Sequence, residues 1–240
     1  MSIKVTIWHE FFHERNNETV RALYPDGMHA TIKAALAFDD NLDITITDLE
    51  MPNHGMTDEL LNSTDVLIWW GHMRHGEVPD ELALKIQERV LKQGMGFIAL
   101  HSAHASKPFR FLMGTSGRLN WGDDQKEIIW TMLPGHPIAT GVPEHFILEK
   151  EEMYGEFFDI PQPDEQVFGS WFEHGNIFRS GCCWYRGRGK VFYFQPGHEY
   201  CPSYHNETVI KIIRNGIYWA NPTNVFEDNL DMGHMKKIVE

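Results

Sequence analysis

Hydrophobic residues recur with two alternating periods over the first hundred positions. In residues 3–8, Ile3, Val5 and Ile7 fall at every second place, the period of a strand. In residues 27–38 the period changes, and Met28, Ile32, Ala35 and Leu36 recur at helical spacing. Ile44 and Ile46 restore the alternation in residues 43–49, and Pro52 and Gly55 mark the loop that follows. Residues 57–61 read as a short helix that Thr57 can cap. Residues 66–70, Val-Leu-Ile-Trp-Trp, are apolar throughout, as in a strand covered on both faces. Pro79, Asp80 and Glu81 open a helix with an inner stripe of Leu82, Ile86 and Val90, and Gly94 closes it. Residues 97–100 form a fourth apolar strand. This rhythm predicts βαβ units and a parallel sheet with helices on both faces. Residues 11–25 show neither period and read as a polar loop.

Past residue 107 the rhythm fails. Gly114, Gly117, Gly122, Pro134, Gly135, Pro137, Gly141 and Pro143 break residues 107–165 into an irregular insertion, with strand candidates at 127–132 and 146–149. Residues 167–172, 176–185 and 190–195 are predicted strands, the last two joined as a hairpin through Gly187-Arg188-Gly189. Val209, Ile213 and Ile217 give residues 206–219 one apolar helical face. A polar tail follows at 222–240, and one domain is expected to span 1–240.

Composition narrows the class. The 240 residues are 42% hydrophobic and 23% charged, ordinary for a globular protein. A net charge of −13 argues against nucleic acid and anionic membrane surfaces as partners. No apolar run approaches the roughly 20 residues that span a bilayer. Cys182, Cys183 and Cys201 have neither disulfide nor zinc spacing, and Met-Ser-Ile-Lys runs straight into a strand without a signal peptide. A reducing, cytoplasmic setting is expected.

Chemistry gathers at strand ends. Predicted parallel strands run out at His9, His72 and His101, and residues 191–195 lead into Pro196-Gly197-His198-Glu199. Ligands of open α/β sheets bind beyond the carboxyl ends of the strands. Four of the 14 histidines are therefore expected to face one crevice, with His9 and His101 closest and His72 at the rim. Small Ser102 and Ala103 after His101 suit a sharp strand-to-helix elbow, which would expose His101 at the mouth of the largest polar pocket. Imidazoles there can act as acid and base, or hold a divalent metal such as zinc through His9, His101 and His198, with Glu10 and Glu199 beside them. His9-Glu10-Phe11-Phe12-His13 has the letters of H-E-x-x-H but follows a strand, where the two histidines do not share a helix face. Trp8, Trp69, Trp70, Trp121, Trp171 and Trp184 are candidate stacking faces for a sugar ring, with Trp8 and Trp69 read as core.

Five stretches together resemble the ThuA-like trehalose-utilisation family over about residues 3–220. They are Trp69-Trp70-Gly71-His72, Ala99-Leu100-His101-Ser102, Gly135-His136-Pro137-Ile138, Glu151-Glu152-Met153-Tyr154 and residues 189–199, ending Gln195-Pro196-Gly197-His198-Glu199. The resemblance implies a flavodoxin-like three-layer α/β sandwich with a mostly parallel central sheet, similar to class I glutamine amidotransferases. Those enzymes carry cysteine at the elbow and a His-Pro-Glu run after a later strand. Here the elbow is His101 and the later run is Pro-Gly-His-Glu, so glutaminase activity is not expected. The implied role is an enzyme of disaccharide metabolism acting on trehalose or a 3-keto derivative. His101, His198 and Glu199 are the catalytic candidates, and His72, Ser102, His104 and Glu152 the substrate-binding ones. The expected partner is a small-molecule sugar, with no nucleotide cofactor, and self-association is compatible with the chain. Two other readings remain: a non-catalytic sugar-binding or regulatory protein, and a hydrolase using Ser102.

Overall fold

The switches of hydrophobic period become β1 (Ile3–His9), α3 (Met28–Ala35), β2 (Leu42–Asp48), α4 (Asp58–Ser63), β3 (Val66–Trp70), α5 (Asp80–Gln93) and β4 (Gly96–Leu100) in a computed structural model. The structure describes residues 2–223, so all but the first two positions of the expected tail at 222–240 lie outside the described residues. The caps act as expected. The Thr57 side chain accepts the Leu60 N–H, and Gly94 ends α5 at φ 84°, the left-handed conformation that favours glycine. The stretch 11–25 is more ordered than its polarity suggests. It forms α1 (His13–Asn16) and α2 (Glu18–Leu23), because the Asn17 side chain accepts the Thr19 and Val20 N–H groups and starts the second helix.

The chain continues through α6 (Lys107–Met113), β5 (Asn120–Thr131), β6 (His145–Gly155), β7 (Glu165–Phe172), β8 (Ile177–Arg186), β9 (Gly189–Phe194) and α7 (Glu207–Ala220). The sheet order is β2-β1-β3-β4-β9-β8-β7-β5-β6. From β2 to β9 every neighbouring pair is parallel, and from β9 to β6 every pair is antiparallel. The sheet is thus mixed, not mostly parallel. The physical reason is connection length: β7, β8 and β9 follow one another through turns too short for the crossover that parallel strands require. The stretch 107–165 is likewise less irregular than expected, since it holds α6 and two long strands. Register shifts in β5 between Gly122 and Asp124 and between Gln125 and Glu127 break the alternation that would have announced them.

Both faces of the parallel half are covered. Val5, Ile7, Val66 and Ile68 pack with Met28 and Ile32 of α3 and Val209 and Ile213 of α7. Leu67, Trp69 and Phe97 pack on the other side with Leu82, Ile86 and Val90 of α5. Among the described residues, no helix is long and apolar enough to cross a membrane.

Candidate functional site

The parallel strands β3, β4 and β9 lie side by side, so the segments leaving their carboxyl ends share one edge of the sheet. β4 ends at His101, where φ is 49°, a left-handed conformation that a residue with a Cβ adopts at a cost. A one-turn 3-10 segment, His101–Ala105, leads from it into α6. The elbow expected from the small residues is therefore present in the backbone, but its side chain is not exposed. His101 is fully buried. Its Nδ1–H donates to the Gln195 carbonyl at 2.9 Å, and Nε2 lies 3.0 Å from Glu152 Oε2 and 3.2 Å from the Tyr154 hydroxyl. The expectation that His101 sits at a pocket mouth is corrected: β9 and β6 bring acceptors to both ring nitrogens and draw the ring inward. Burial alone would lower the His101 pKa, but the hydrogen bond and charge of Glu152 outweigh it and raise it to about 9. Burial pushes Glu152 up in turn, and His101 more than offsets that, so Glu152 ends below its ordinary value. The two form a buried ion pair.

Two buried carboxylates hold the flanking loops. Glu10, just past β1, accepts the backbone N–H groups of His72, Met73 and Arg74 at 2.7–2.9 Å and fixes the loop after β3. Glu151 on β6 accepts the N–H groups of Gly197 and His198, both at 2.9 Å, and bonds the Ser203 hydroxyl, fixing the turn after β9. That turn needs Gly197, because a Cβ at its φ of 140° would meet the Tyr204 hydroxyl at 2.0 Å.

Three imidazoles meet at Glu199. His13 Nε2 is 3.2 Å and His72 Nδ1 3.1 Å from Oε1, and His198 Nε2 is 3.6 Å from Oε2. His198 Nδ1 lies 2.9 Å from Asp124 of β5. Burial would raise Glu199, but the hydrogen bond from His72 and the nearby His198 and His13 outweigh it and hold it at about 2. The ring centroids of His101 and His198 are 5.5 Å apart, and those of His72 and His198 6.3 Å. Three of the four strand-end histidines thus converge. His9 does not, because β3 stands between β1 and β4. It lies beside Trp70 and His29, with Nε2 2.7 Å from Glu14. The expected closeness of His9 and His101 is corrected, and a metal set of His9, His101 and His198 does not assemble. His9 and His13 turn to different carboxylates, as their placement on a strand and a helix requires.

Against this wall lies a cavity of about 310 Å³, lined among others by His72, Ser102, His104, Glu152, Tyr154 and Trp121. All four expected substrate-binding residues reach it. His104 Nδ1–H donates to the Gly117 carbonyl at 2.7 Å, and burial lowers its pKa to about 3, so it is neutral. His75 is also there, lowered by burial to about 4. Trp121 is 70% exposed, while Trp8, Trp69, Trp70 and Trp184 are core, the first two stacked at 3.7 Å. A larger groove of about 810 Å³ lies elsewhere, between α3 and α7, and contains none of the strand-end histidines. His13, Asp124, Glu151 and Tyr154 escaped the sequence reading as site residues, and Glu10, expected beside a metal, instead holds a loop. For His13 a signal existed, the H-E-x-x-H letters themselves, and for Glu151 its place beside Glu152.

Comparisons with known proteins come from folds and one family. A ThuA-like protein from Parabacteroides merdae is similar at TM-score 0.66 and 14% identity, covering 95% of this chain and 92% of its own. A cytoplasmic protein from Salmonella typhimurium LT2 is similar at 0.63 and 11%, over 91% of this chain and 100% of its own. A glutamine amidotransferase from Thermotoga maritima is similar at 0.50 and 14%, over 83% and 77%. At such identities these likenesses show the fold: an α/β structure of amidotransferase type. No curated protein matches the chain. A family described by trehalose utilisation matches residues 4–220, the strand-end motifs and the carboxylates that hold them included, and the chain belongs to this ThuA family.

Proposed function

We propose that the chain is a sugar-metabolism enzyme that takes trehalose or a 3-keto disaccharide into the cavity beside Glu152. One observation carries the reading: a pocket-facing carboxylate kept ionised by a buried, protonated histidine on a strained elbow. Perturbed titratable groups in a cleft are the signature of proton-transfer chemistry. Across the same cavity Trp121 offers an exposed apolar face, and His72, Ser102 and His104 offer polar groups, the mixture that recognises a sugar ring. About 310 Å³ is at the small end for a ligand site, which suits one hexose ring with its partner ring outside.

In a 3-keto sugar the carbonyl acidifies the neighbouring C2–H bond. Glu152 takes that proton, the electron pair expels the glycosidic oxygen from C1, and a histidine on the same wall, His72, gives a proton to the leaving sugar; water then adds to C1 of the resulting enone, passing its proton to His72 while Glu152 returns one to C2. His101 touches no substrate in this scheme. It is a positioning residue that keeps Glu152 charged, while His198 and Glu199 stand behind His72. Glutamine hydrolysis fits poorly: burial pushes Cys182 up to about 12 and raises Cys183 and Cys201 as well, and thiolate is the nucleophile that reaction needs. Three free, buried cysteines suit the cytoplasm.

Proton NMR of full-length protein with 3-keto-trehalose in deuterium oxide tests the scheme. Deuterium should enter at C2 and glucose should appear, with both lost in Glu152→Gln. A folded protein that neither binds nor alters trehalose or its 3-keto form refutes it. Binding without turnover would favour the sugar-binding reading, to which the missing thiol at the elbow lends support.

A further inference from the structure

We propose that His13, His72 and Glu199 bind one divalent transition-metal ion of the zinc type, with His198 approaching Glu199 from its other carboxylate oxygen. The inference rests on donor geometry and stands apart from the sugar reading. Two ligand atoms each about 2.1 Å from a tetrahedral ion are about 3.4 Å apart. The separations from Glu199 Oε1 are close to that value, 3.2 Å to His13 Nε2 and 3.1 Å to His72 Nδ1, while His198 Nε2 stands 3.6 Å from Oε2, outside this donor group. One donor atom from each of His13, His72 and Glu199 lies within 4.8 Å of the others.

The tautomer of His198 adds an independent argument. Asp124 accepts a hydrogen bond from Nδ1–H at 2.9 Å, so a neutral ring carries its lone pair on Nε2. That lone pair faces a Glu199 oxygen, which is also an acceptor. Two acceptors turned on one another need a cation between them, either a proton on His198 or a metal. A carboxylate behind the far nitrogen is the usual partner of a metal-bound histidine. The two flanking loops are also held in place: Glu10 fixes the backbone at His72, and Glu151 fixes it at His198. Imidazole and carboxylate donors suit zinc, cobalt, manganese or iron rather than calcium, which prefers oxygen alone. His72 also lines the substrate cavity, so an ion there would border it and could polarise a sugar oxygen.

The test uses full-length protein stripped with a chelator. Zinc is titrated by calorimetry, cobalt by its visible absorption, and metal per chain is counted by mass spectrometry. One ion per chain is expected, with saturable binding that is abolished in the double variant His13→Ala/His72→Ala. Glu199→Gln should abolish it too with less risk to folding, and Asp124→Asn should weaken it about 10–100-fold. Circular dichroism confirms that each variant is folded. No saturable zinc or cobalt uptake by the folded wild-type chain would overturn the proposal. Equal uptake by the folded variants would overturn it as well. Loss of sugar turnover with metal binding intact would sink the proposed function and not this inference.

Discussion

Raising the pH should unlock the His101–Glu152 pair. His101 titrates at 6.5 when unfolded and at about 9 in the folded protein, so the fold binds its proton more tightly. A raised folded value contributes stability that is fully present below the unfolded value and is lost as pH rises through the folded one. At about 1.4 kcal/mol per unit, the full contribution is on the order of 3 kcal/mol, and about 2 kcal/mol of it should vanish between about pH 7 and pH 8.5. His101 is fully buried and Glu152 nearly so, so solvent screens the pair only weakly. Other groups leave this window nearly clear. His29, His75 and His104 are lowered by burial and matter only below their ordinary value. The three buried thiols add a smaller loss near the upper end. Urea unfolding of wild type and Glu152→Gln across the window separates the terms, because the variant retains the thiol contribution and loses the His101 one. Equal slopes in the two proteins would refute the ion pair.

Glu10→Gln should cost about 2 kcal/mol in urea unfolding, since backbone N–H groups at His72, Met73 and Arg74 lose an ionised acceptor; an unchanged midpoint would mean the loop does not depend on it. Trp121→Ala should weaken sugar binding in calorimetry without lowering Tm, because the indole is largely exposed; intact affinity removes Trp121 from the sugar site. Gly197→Ala should destabilise by about 2–4 kcal/mol through collision with Tyr204 and an unfavourable φ, and a wild-type melting curve would contradict the close approach. Incubation with glutamine should release no ammonia; release abolished by Cys182→Ala, Cys183→Ala or Cys201→Ala would overturn the exclusion.

Local periodicity made the first hundred residues legible, because each element there buries its own face against its sequence neighbours. Strand-end histidines were legible too, since His72, His101 and His198 do share one edge. Three things were hidden. Strand order is a tertiary property, so nothing local told that β3 would separate His9 from His101. The mixed sheet depended on short turns late in the chain, where bulges in β5 blurred the alternation. The inward turn of His101 depended on Glu152 and Gln195, acceptors supplied by strands whose pairing was not readable. Nothing in the residue types of Glu10 and Glu151 announced that each is buried under a loop of N–H groups.

The elbow at His101 has a consequence for the order of assembly during synthesis. Its three partners, Glu152, Tyr154 and the Gln195 carbonyl, lie 51, 53 and 94 residues further along the chain. β1 to β4 can form their parallel ladder from residues 3–100 alone, with contacts between near neighbours in sequence. While only that half has emerged from the ribosome, the imidazole at 101 lacks all of these partners. The elbow is thus completed only by the arrival of β6 and of Gln195 after β9, which makes its geometry a late event in synthesis.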